Sequence, residues 1–209
     1  MLLSINEQFY KSLIYDDRYK YLLTGLGNTI IMAVCAVLIG ALIGLIIAII
    51  RTYHDNTNKM KVLNWLAKVY VTVIRGTPVL LQLMIIYYVI FASVNINVVF
   101  VGIVAFGLNS AAYVSEIIRA GIMSIDKGQM EAGRALGLTY AETMKLIIIP
   151  QALKNVMPAL GNEFITLLKE TSVAGYIGIV ELTKAGDIIA SRTYNYFFPL
   201  ILTAIIYLI

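Results

Sequence analysis

Two glutamates interrupt otherwise apolar stretches of the sequence, and other polar residues accompany each of them at helical spacing. Residues at i, i+3 or i+4, and i+7 share one face of a helix. The two faces would carry Asn109, Tyr113 and Glu116 on one helix, and Glu163, Thr166 and Glu170 on another. The spacing therefore predicts two polar stripes.

Carboxylates on two facing stripes would attract a guanidinium or ammonium group through charge-assisted hydrogen bonds. A substrate carboxylate would need donors, which backbone N–H groups near Gly161 or at Thr171-Ser172 could supply. The pattern predicts a substrate-binding site for a polar, cationic amino acid such as arginine, lysine or histidine, in preference to glutamine or glutamate.

Each glutamate also has a structural interpretation. A charged side chain at the centre of a bilayer costs ~2.5–3.5 kcal/mol on insertion scales, so it faces a partner or a watery cavity. Glu116 could pair with Arg119, three residues away, or lie near the membrane interface. Glu163 has no basic residue three or four positions away, and its alternative is a hydrogen-bonded packing role. The sequence leaves these alternatives open.

The composition indicates that membrane helices position these residues. Of the 209 residues, 60% are apolar and 13% are charged, whereas soluble domains are ~45–50% apolar and ~25% charged. An ordinary soluble enzyme and a disordered chain are therefore excluded. The single cysteine and single histidine exclude a disulfide framework and a multi-histidine metal site. The basic residues form no single patch, so no nucleic-acid partner is expected.

The apolar runs predict five transmembrane helices, because a spanning helix needs ~20 mostly apolar residues. The runs are Leu22 to Ile50, Val79 to the polar turn at 93–97, that turn to about Arg119, Val156 to about Lys169, and about Tyr196 to Ile209. The fourth run is weaker because Gly161, Asn162 and Glu163 interrupt it. The fifth is still apolar at its last residue, so we expect the natural chain to continue a little. No signal peptide is expected, since no basic region precedes an apolar run at the start.

The Lys and Arg content of the connections predicts the orientation. Residues 51–75 and 119–154 each hold five basic residues, and the turn at 92–98 holds none. Basic connections stay in the cytoplasm, so both long connections are predicted to be cytoplasmic and the N-terminus to be outside. The expected fold class is an all-α, multi-pass protein of the plasma (inner) membrane.

Residues 1–21 form a predicted amphipathic segment that precedes a transmembrane domain at 22–209. Leu2, Ile5, Phe9 and Leu13 repeat about every 3.6 residues, which predicts a helix lying on the membrane lipid; a frayed tail is the alternative. A second interfacial helix is predicted from Met60 to Ile74. Within the first span, Gly40-x-x-x-Gly44 is a pattern for close helix packing.

The cytoplasmic connection at 121–155 carries the most specific pattern. Thr139 with Glu142 three residues later is a capping-box pattern and predicts the start of a helix. Gly137 suits the end of a preceding short helix. We therefore expect a helix, a sharp turn and a second helix, which together are rigid enough for another protein to grip.

The same connection resembles the cytoplasmic loop of ABC importer permeases, whose pattern is Glu-Ala-Ala, three residues, Gly, nine residues, Ile, one residue, Leu-Pro. This chain has the same spacing, with Gly133 for the second alanine and Ile149 for the leucine: Glu131-Ala132-Gly133, Gly137, Ile147 and Ile149-Pro150. Two further segments resemble polar amino-acid permeases of the histidine, arginine and glutamine type: Arg75-Gly76-Thr77-Pro78 with the residues after it, and Glu170 to Leu182.

The resemblance implies a type I ABC importer permease fold that works as a homo- or heterodimer, with two copies of an ATPase subunit and an extracytoplasmic amino-acid-binding protein. The chain lacks the Gly-x-x-x-x-Gly-Lys-Ser/Thr string of a phosphate-binding loop. ATP and Mg would therefore bind to the partner ATPase, and no cofactor is expected in this chain. The residues that the resemblance assigns to ATPase coupling are Glu131, Ala132, Gly133 and Gly137, the two glycines allowing close backbone contact.

Two other functions compete with this one. An ion-gradient-driven secondary transporter would use Glu116 or Glu163 as proton carrier, and a membrane scaffold would have no transport role. The loop pattern at 131–150 argues against both. The expected function is a permease subunit, not an enzyme, that translocates a polar amino acid by alternating access while the partner hydrolyses ATP.

The topology can be tested with single cysteines at Asn97 and Lys127, with the unaltered chain and its one Cys35 as background. We expect a membrane-impermeant thiol reagent to label Asn97→Cys and not Lys127→Cys in intact cells, because residues 92–98 hold no basic residue and the second connection holds five. The reverse labelling pattern would overturn the orientation.

Overall fold

The computed structural model describes residues 5–209, and in that range the chain forms helices and turns without a strand. Leu2 of the predicted amphipathic segment lies outside these residues. The α-helices are α1 Ile5–Phe9, α2 Tyr19–Thr57, α3 Lys61–Gly76, α4 Val79–Ile85, α5 Val98–Met123, α6 Lys127–Ala135, α7 Tyr140–Thr143, α8 Ile149–Glu170, α9 Leu182–Thr193 and α10 Phe197–Leu208. Tighter or wider helical turns occur at Tyr10–Ile14, Tyr15–Asp17, Ile86–Ile90, Met144–Ile148 and Thr171–Ile177.

The chain divides into two compact units. The first unit comprises the residues up to Cys35 together with Val79–Phe106 and Leu167–Ile209, and the second comprises Ala36–Pro78 and Gly107–Thr166. Helices α2, α5 and α8 each contribute residues to both units.

Two helices are long and apolar enough to cross a membrane by themselves. They are α2, with 39 residues, and α5, with 26 residues, and they contain the first and third predicted spans. The second predicted span is shorter than expected, because its helix runs only from Val79 to Ile90 and is about 18 Å long at 1.5 Å per residue. Helix α10 has 12 residues. Within residues 5–209 two helices meet the combined requirement of length and apolarity, or three if α3 and α4 form one broken span, so the five-helix count stays a prediction.

The fourth predicted span differs from its prediction, because its helix is continuous. Helix α8 runs without a break through Gly161, Asn162 and Glu163, and Pro158 also lies inside it. Ala152 and Val156 are buried in the turns before Pro158, so packing holds the helix together despite the poor helix formers that follow. The prediction of available backbone N–H donors near Gly161 is therefore wrong, because those groups are used within the helix.

In the first unit, the residues before α2 pack into the helical core. Leu13 is 4% exposed and contacts a cluster with Leu22, Leu182, Ala185 and Ile189. Residues 5–14 are helical, so the frayed-tail alternative is wrong for them. The placement of this segment on the membrane surface stays a prediction.

Glu181 of the first unit is a fully buried carboxylate with a structural role. Its side chain accepts hydrogen bonds from the backbone N–H groups of Thr183 at 2.7 Å and Lys184 at 2.6 Å, and so caps the start of α9. Gly25 lies against the Glu181 carbonyl oxygen, where a Cβ atom would stand only 2.8 Å away.

In the second unit, two glycines bring α2 against α5. A Cβ atom at Gly40 would lie 2.8 Å from the Ser110 Cβ, and one at Gly44 would lie 2.9 Å from the carbonyl oxygen of Ala111. The predicted close-packing role of the glycine pair is confirmed. Helix α3 joins these two helices through a buried cluster of Ile47, Ala67, Val71 and Ala112.

The substitution Gly44→Ala is expected to lower the thermal stability of the purified protein in detergent, because its methyl group would strike backbone atoms of α5. Overpacking of this kind costs ~1–3 kcal/mol, which exceeds the ~0.5–1 kcal/mol that alanine gains over glycine within a helix. Gly27→Ala is the matched control on the same helix, since a Cβ atom there meets nothing within 4 Å. Equal melting midpoints for the two variants would contradict the packing role of Gly44.

Candidate functional site

Glu116 is the centre of an ion cluster in the second unit. One of its carboxylate oxygens accepts a hydrogen bond from Arg51 of α2, and the other lies 3.7 Å from an Nη atom of Arg75, at the end of α3. Arg51 is buried, whereas the Arg75 side chain is 45% exposed. The charge of Glu116 is therefore met by two arginines from other helices.

The expected alternative for Glu116, a salt bridge with Arg119, is wrong. Arg119 pairs instead with Asp55 at the end of α2, through donor–acceptor distances of 2.9 and 3.2 Å. Glu116 and Arg119 are close along α5, but α2 and α3 supply better-placed partners from across the helix packing.

Tyr113 of the first predicted stripe lies beside the same cluster. The guanidinium of Arg75 stands over the Tyr113 ring, with its carbon 5.3 Å from the ring centroid. This distance is within the ~6 Å range of a cation–π contact. Tyr113 and Glu116 together therefore position the end of the Arg75 side chain.

Glu163 reaches α5 one helical turn before Tyr113. The Ser110 hydroxyl donates a hydrogen bond of 3.2 Å to the Glu163 carboxylate, and Ser110 and its neighbour Asn109 are both buried. This contact joins the polar residues of α5 to those of α8 within the second unit.

The other two residues of the α8 stripe lie apart from this contact. Thr166 donates its hydroxyl to the carbonyl oxygen of Asn162 in its own helix at 2.9 Å. Glu170 is the last residue of α8 and belongs to the first unit.

Sequence reasoning missed the roles of Ser110, Arg51 and Arg75. Ser110 directly follows Asn109 of the predicted stripe, so the stripe indicated this part of α5. Arg51 is 65 residues from its partner Glu116, and no local spacing rule relates the two. Arg75 belongs to the family-like string Arg75-Gly76-Thr77-Pro78, which indicates no partner on α5.

The loop at 121–155 has the predicted helix–turn–helix form. Helix α6 ends at Ala135, and Gly137, just after its C-cap Leu136, has a φ of +89°. The next N–H group, that of Leu138, donates to the Gly133 carbonyl oxygen at 3.2 Å. This is the glycine-terminated helix end of the Schellman type. Thr139 and Glu142 form the reciprocal capping box that begins α7, so both local predictions are confirmed.

The capping box also fixes an electrostatic property of the loop. The hydrogen bonds from the Thr139 hydroxyl and backbone N–H lower the pKa of the Glu142 carboxyl. Because the folded pKa is depressed, this carboxylate stabilises the turn above its unfolded pKa, and the contribution is lost as the pH falls through the lowered value.

Gly133 has a packing role within this chain. It is buried, and a Cβ atom there would lie 2.5 Å from the Cγ2 atom of Thr143. Gly133 thus lets α6 pack closely onto α7, and its part in ATPase coupling stays a prediction.

The outer surface of the loop is formed by other residues. Glu131, Ala132 and Gly137 are exposed, and Leu136 between the two helices is 81% exposed. Beside them lies a polar groove of about 490 Å³ whose lining includes Asp55, Asp126, Lys127, Met130 and Glu131.

A second groove of about 540 Å³ lies among α2, α5, α7 and α8 in the second unit. Its walls are almost wholly apolar, and they include Leu45, Val114, Leu153, Val156 and Leu160. Such walls suit hydrocarbon and offer few partners to a charged amino acid. The polar residues around Ser110 and Glu163 are the better candidate for a polar ligand.

Comparison with known proteins gives the chain a family. The family model described as "Binding-protein-dependent transport system inner membrane component" matches residues 40–209. A Rickettsia prowazekii protein named provisionally as the glutamine transport system permease GlnP is 42% identical over 91% of this chain and 86% of its own length. The arginine transport system permease protein ArtQ of Bacillus subtilis is 41% identical over 90% of this chain and 84% of its own length.

Solved structures agree with this result. A crystal structure of an amino acid ABC transporter with histidines shares 42% identity and a TM-score of 0.86, over 100% of this chain and 92% of that one. The MetNI methionine ABC transporter, at 22% identity and a TM-score of 0.75 over 92% of each chain, shares the fold. The chain therefore belongs to the binding-protein-dependent transport system inner membrane components: it is a permease subunit of an amino-acid ABC transporter of the inner membrane, and ATP hydrolysis resides on a separate subunit.

Proposed function

We propose that this permease imports a cationic amino acid, arginine, lysine or histidine, and that Glu163 binds the positive charge of the substrate. The permease would work as a dimer with two ATPase subunits, and an extracytoplasmic binding protein would deliver the substrate. Five transmembrane helices with an outside N-terminus would place the loop at 121–155 on the ATPase side and the polar stripes within the membrane.

The contact between Ser110 and Glu163 is the observation that carries this proposal. It places a carboxylate of α8 against the polar segment of α5 that also holds Asn109 and Tyr113. A carboxylate at this position can make charge-assisted hydrogen bonds to a guanidinium or ammonium group.

The other members of the two predicted stripes would have different roles. Asn109, Tyr113 and Thr166 would supply polar surface near the substrate. Glu116 is matched by Arg51 and Arg75, and we assign the substrate cation to Glu163 because of its contact with the polar segment of α5. Glu170, at the far end of α8, stays a predicted contact without further support.

The relatives support an amino-acid substrate more strongly than a cationic one. ArtQ is named for arginine, and the crystal structure with histidines is of an amino acid transporter, whereas GlnP is named for glutamine. The preference for a cation therefore rests on Glu163 and its surroundings.

The secondary transporter is the weaker candidate. The chain belongs to an ABC permease family, and its loop has the helix–turn–helix that such a partner would need. Glu116, one of the two supposed proton carriers, is paired with two arginines. ATP hydrolysis on a bound subunit is the energy source that fits these observations.

The substitution Glu163→Gln is expected to weaken uptake of arginine or lysine by at least ~10-fold, about 1.4 kcal/mol. Glutamine keeps the shape of the side chain and an acceptor for Ser110, but it removes the charge. Uptake of a neutral amino acid, where the complex moves one, should suffer less. The measurement is uptake of an amino-acid panel by the reconstituted complex, at matched protein level and basal ATPase activity.

Two controls accompany this measurement. Glu163→Asp keeps the negative charge and should retain part of the uptake. Asp55→Asn removes a carboxylate of the same unit that serves Arg119, and it should leave selectivity unchanged. Equal losses for charged and neutral substrates in Glu163→Gln would mean that Glu163 has a packing role only.

Coupling can be tested at the exposed surface of the loop. We expect Glu131→Lys and Gly137→Trp to abolish substrate-stimulated ATP hydrolysis and uptake, because reversed charge or added bulk would prevent docking of the ATPase subunit. Glu131→Gln and Gly137→Asn are the matched controls; asparagine tolerates positive φ better than other side chains do. Normal uptake and normal recovery of the ATPase subunit with the two disruptive variants would show that this surface does not couple the subunits.

A further inference from the structure

The site around Glu163 provides for the positive charge of an amino acid, but an amino acid also carries a carboxylate. The expected donors near Gly161 are not available, because α8 is continuous there and its N–H groups are used within the helix. A buried carboxylate without donors would be costly. Another cationic or donor group must therefore serve this end of the substrate.

Arg75 has the free donor capacity that this role requires. Among residues 5–209 its guanidinium makes two contacts, the 3.7 Å approach to Glu116 and the position over the Tyr113 ring. The first is longer than a hydrogen bond, and the second uses the face of the guanidinium and leaves its N–H edge unused. With 45% of the side chain exposed, a ligand can reach that edge.

The local charge balance favours an anion at the same place. Arg51 and Arg75 contribute two positive charges, and Glu116 contributes one negative charge. Arg51 is the buried partner with the direct hydrogen bond, so it satisfies most of the Glu116 charge. The surplus positive charge therefore lies on Arg75, the more exposed of the two arginines.

Arg75 and Glu163 contact helix α5 at points whose separation suits one small zwitterion. Glu163 contacts α5 at Ser110, and Arg75 contacts it at Tyr113 and Glu116. Three to six residues of helix correspond to ~4.5–9 Å along the axis. Ser110 and Tyr113 are three residues apart, so both project from the same side of α5.

We propose that Arg75 binds the α-carboxylate of the transported amino acid, so that Arg75 and Glu163 hold opposite ends of one substrate molecule. The inference rests on the proposed substrate site, but it is independent of the side-chain preference, because every α-amino acid carries this carboxylate. A planar guanidinium binds a carboxylate through two parallel hydrogen bonds. Arg75 would then reject amines that lack a carboxylate.

The test compares an amino acid with its decarboxylated amine. Equilibrium binding of radiolabelled arginine, with unlabelled arginine or agmatine as competitor, is measured on the purified permease–ATPase complex without the binding protein, so that only the permease selects. We expect the wild-type complex to prefer arginine over agmatine by at least ~10-fold. In Arg75→Gln, binding of arginine should weaken by about that factor while binding of agmatine stays the same.

Two further variants separate carboxylate binding from a structural role. Arg75→Lys keeps the charge without the bidentate geometry, and it should retain part of the preference. Arg119→Gln removes an arginine of the same unit that pairs with Asp55, and it should keep the full preference. The inference is overturned if Arg75→Gln weakens arginine and agmatine equally, or if the wild-type complex binds both with equal affinity.

A wrong substrate assignment would give a different result from a wrong role for Arg75. If the complex transports glutamine and not a cationic amino acid, the Glu163 assignment fails. The Arg75 variants are then measured with glutamine and its decarboxylated amine, 4-aminobutyramide. Loss of discrimination between these two compounds in Arg75→Gln would still support the inference, and retained discrimination would overturn it.

Discussion

The ion cluster centred on Glu116 is the interaction on which the second unit depends. One carboxylate of α5 connects Arg51 of α2 with Arg75 of α3, so three helices meet at a single charge. The contact between Arg51 and Glu116 is the buried part of the cluster, and removing one partner from a buried ion pair typically costs ~3–5 kcal/mol. The half-exposed Arg75 contributes less. The cluster also holds Arg75 over the Tyr113 ring. The position of the proposed binding site for the substrate α-carboxylate therefore depends on this packing.

Helix α5 serves as a common scaffold because its faces carry different kinds of residues. Ser110 and Ala111 are small and buried, and the glycines of α2 pack directly against them. The Ser110 hydroxyl, which lies at this contact, also reaches Glu163. A larger residue at Gly40 would therefore disturb the packing of α2 and the hydrogen bond to Glu163 together.

Features with a local cause could be predicted from the sequence, and those with a distant cause could not. The capping box at Thr139, the glycine-terminated helix end at Gly137 and the close packing at Gly40 and Gly44 each depend on residues a few positions apart. The partners of Glu116 lie on other helices, so local spacing suggested Arg119, which is wrong. The continuity of α8 was missed because packing of residues such as Val156 outweighs the weak helix propensity of Gly161 and Asn162. The helix–turn–helix form of the loop followed from its capping residues, but the inward direction of Gly133 required the position of Thr143.

The continuous helical path from α7 through the turn at Met144–Ile148 into α8 has a mechanical consequence. Gly133 fastens α6 to Thr143 at the start of this path, and Glu163 lies 20 residues further along it, about 30 Å away at 1.5 Å per residue. A continuous helix resists bending, so a displacement of α6 that tilts α7 also moves the distant part of α8. A tilt of a few degrees at the loop then moves the Glu163 carboxylate by an ångström or more, enough to lengthen or restore its contact with Ser110.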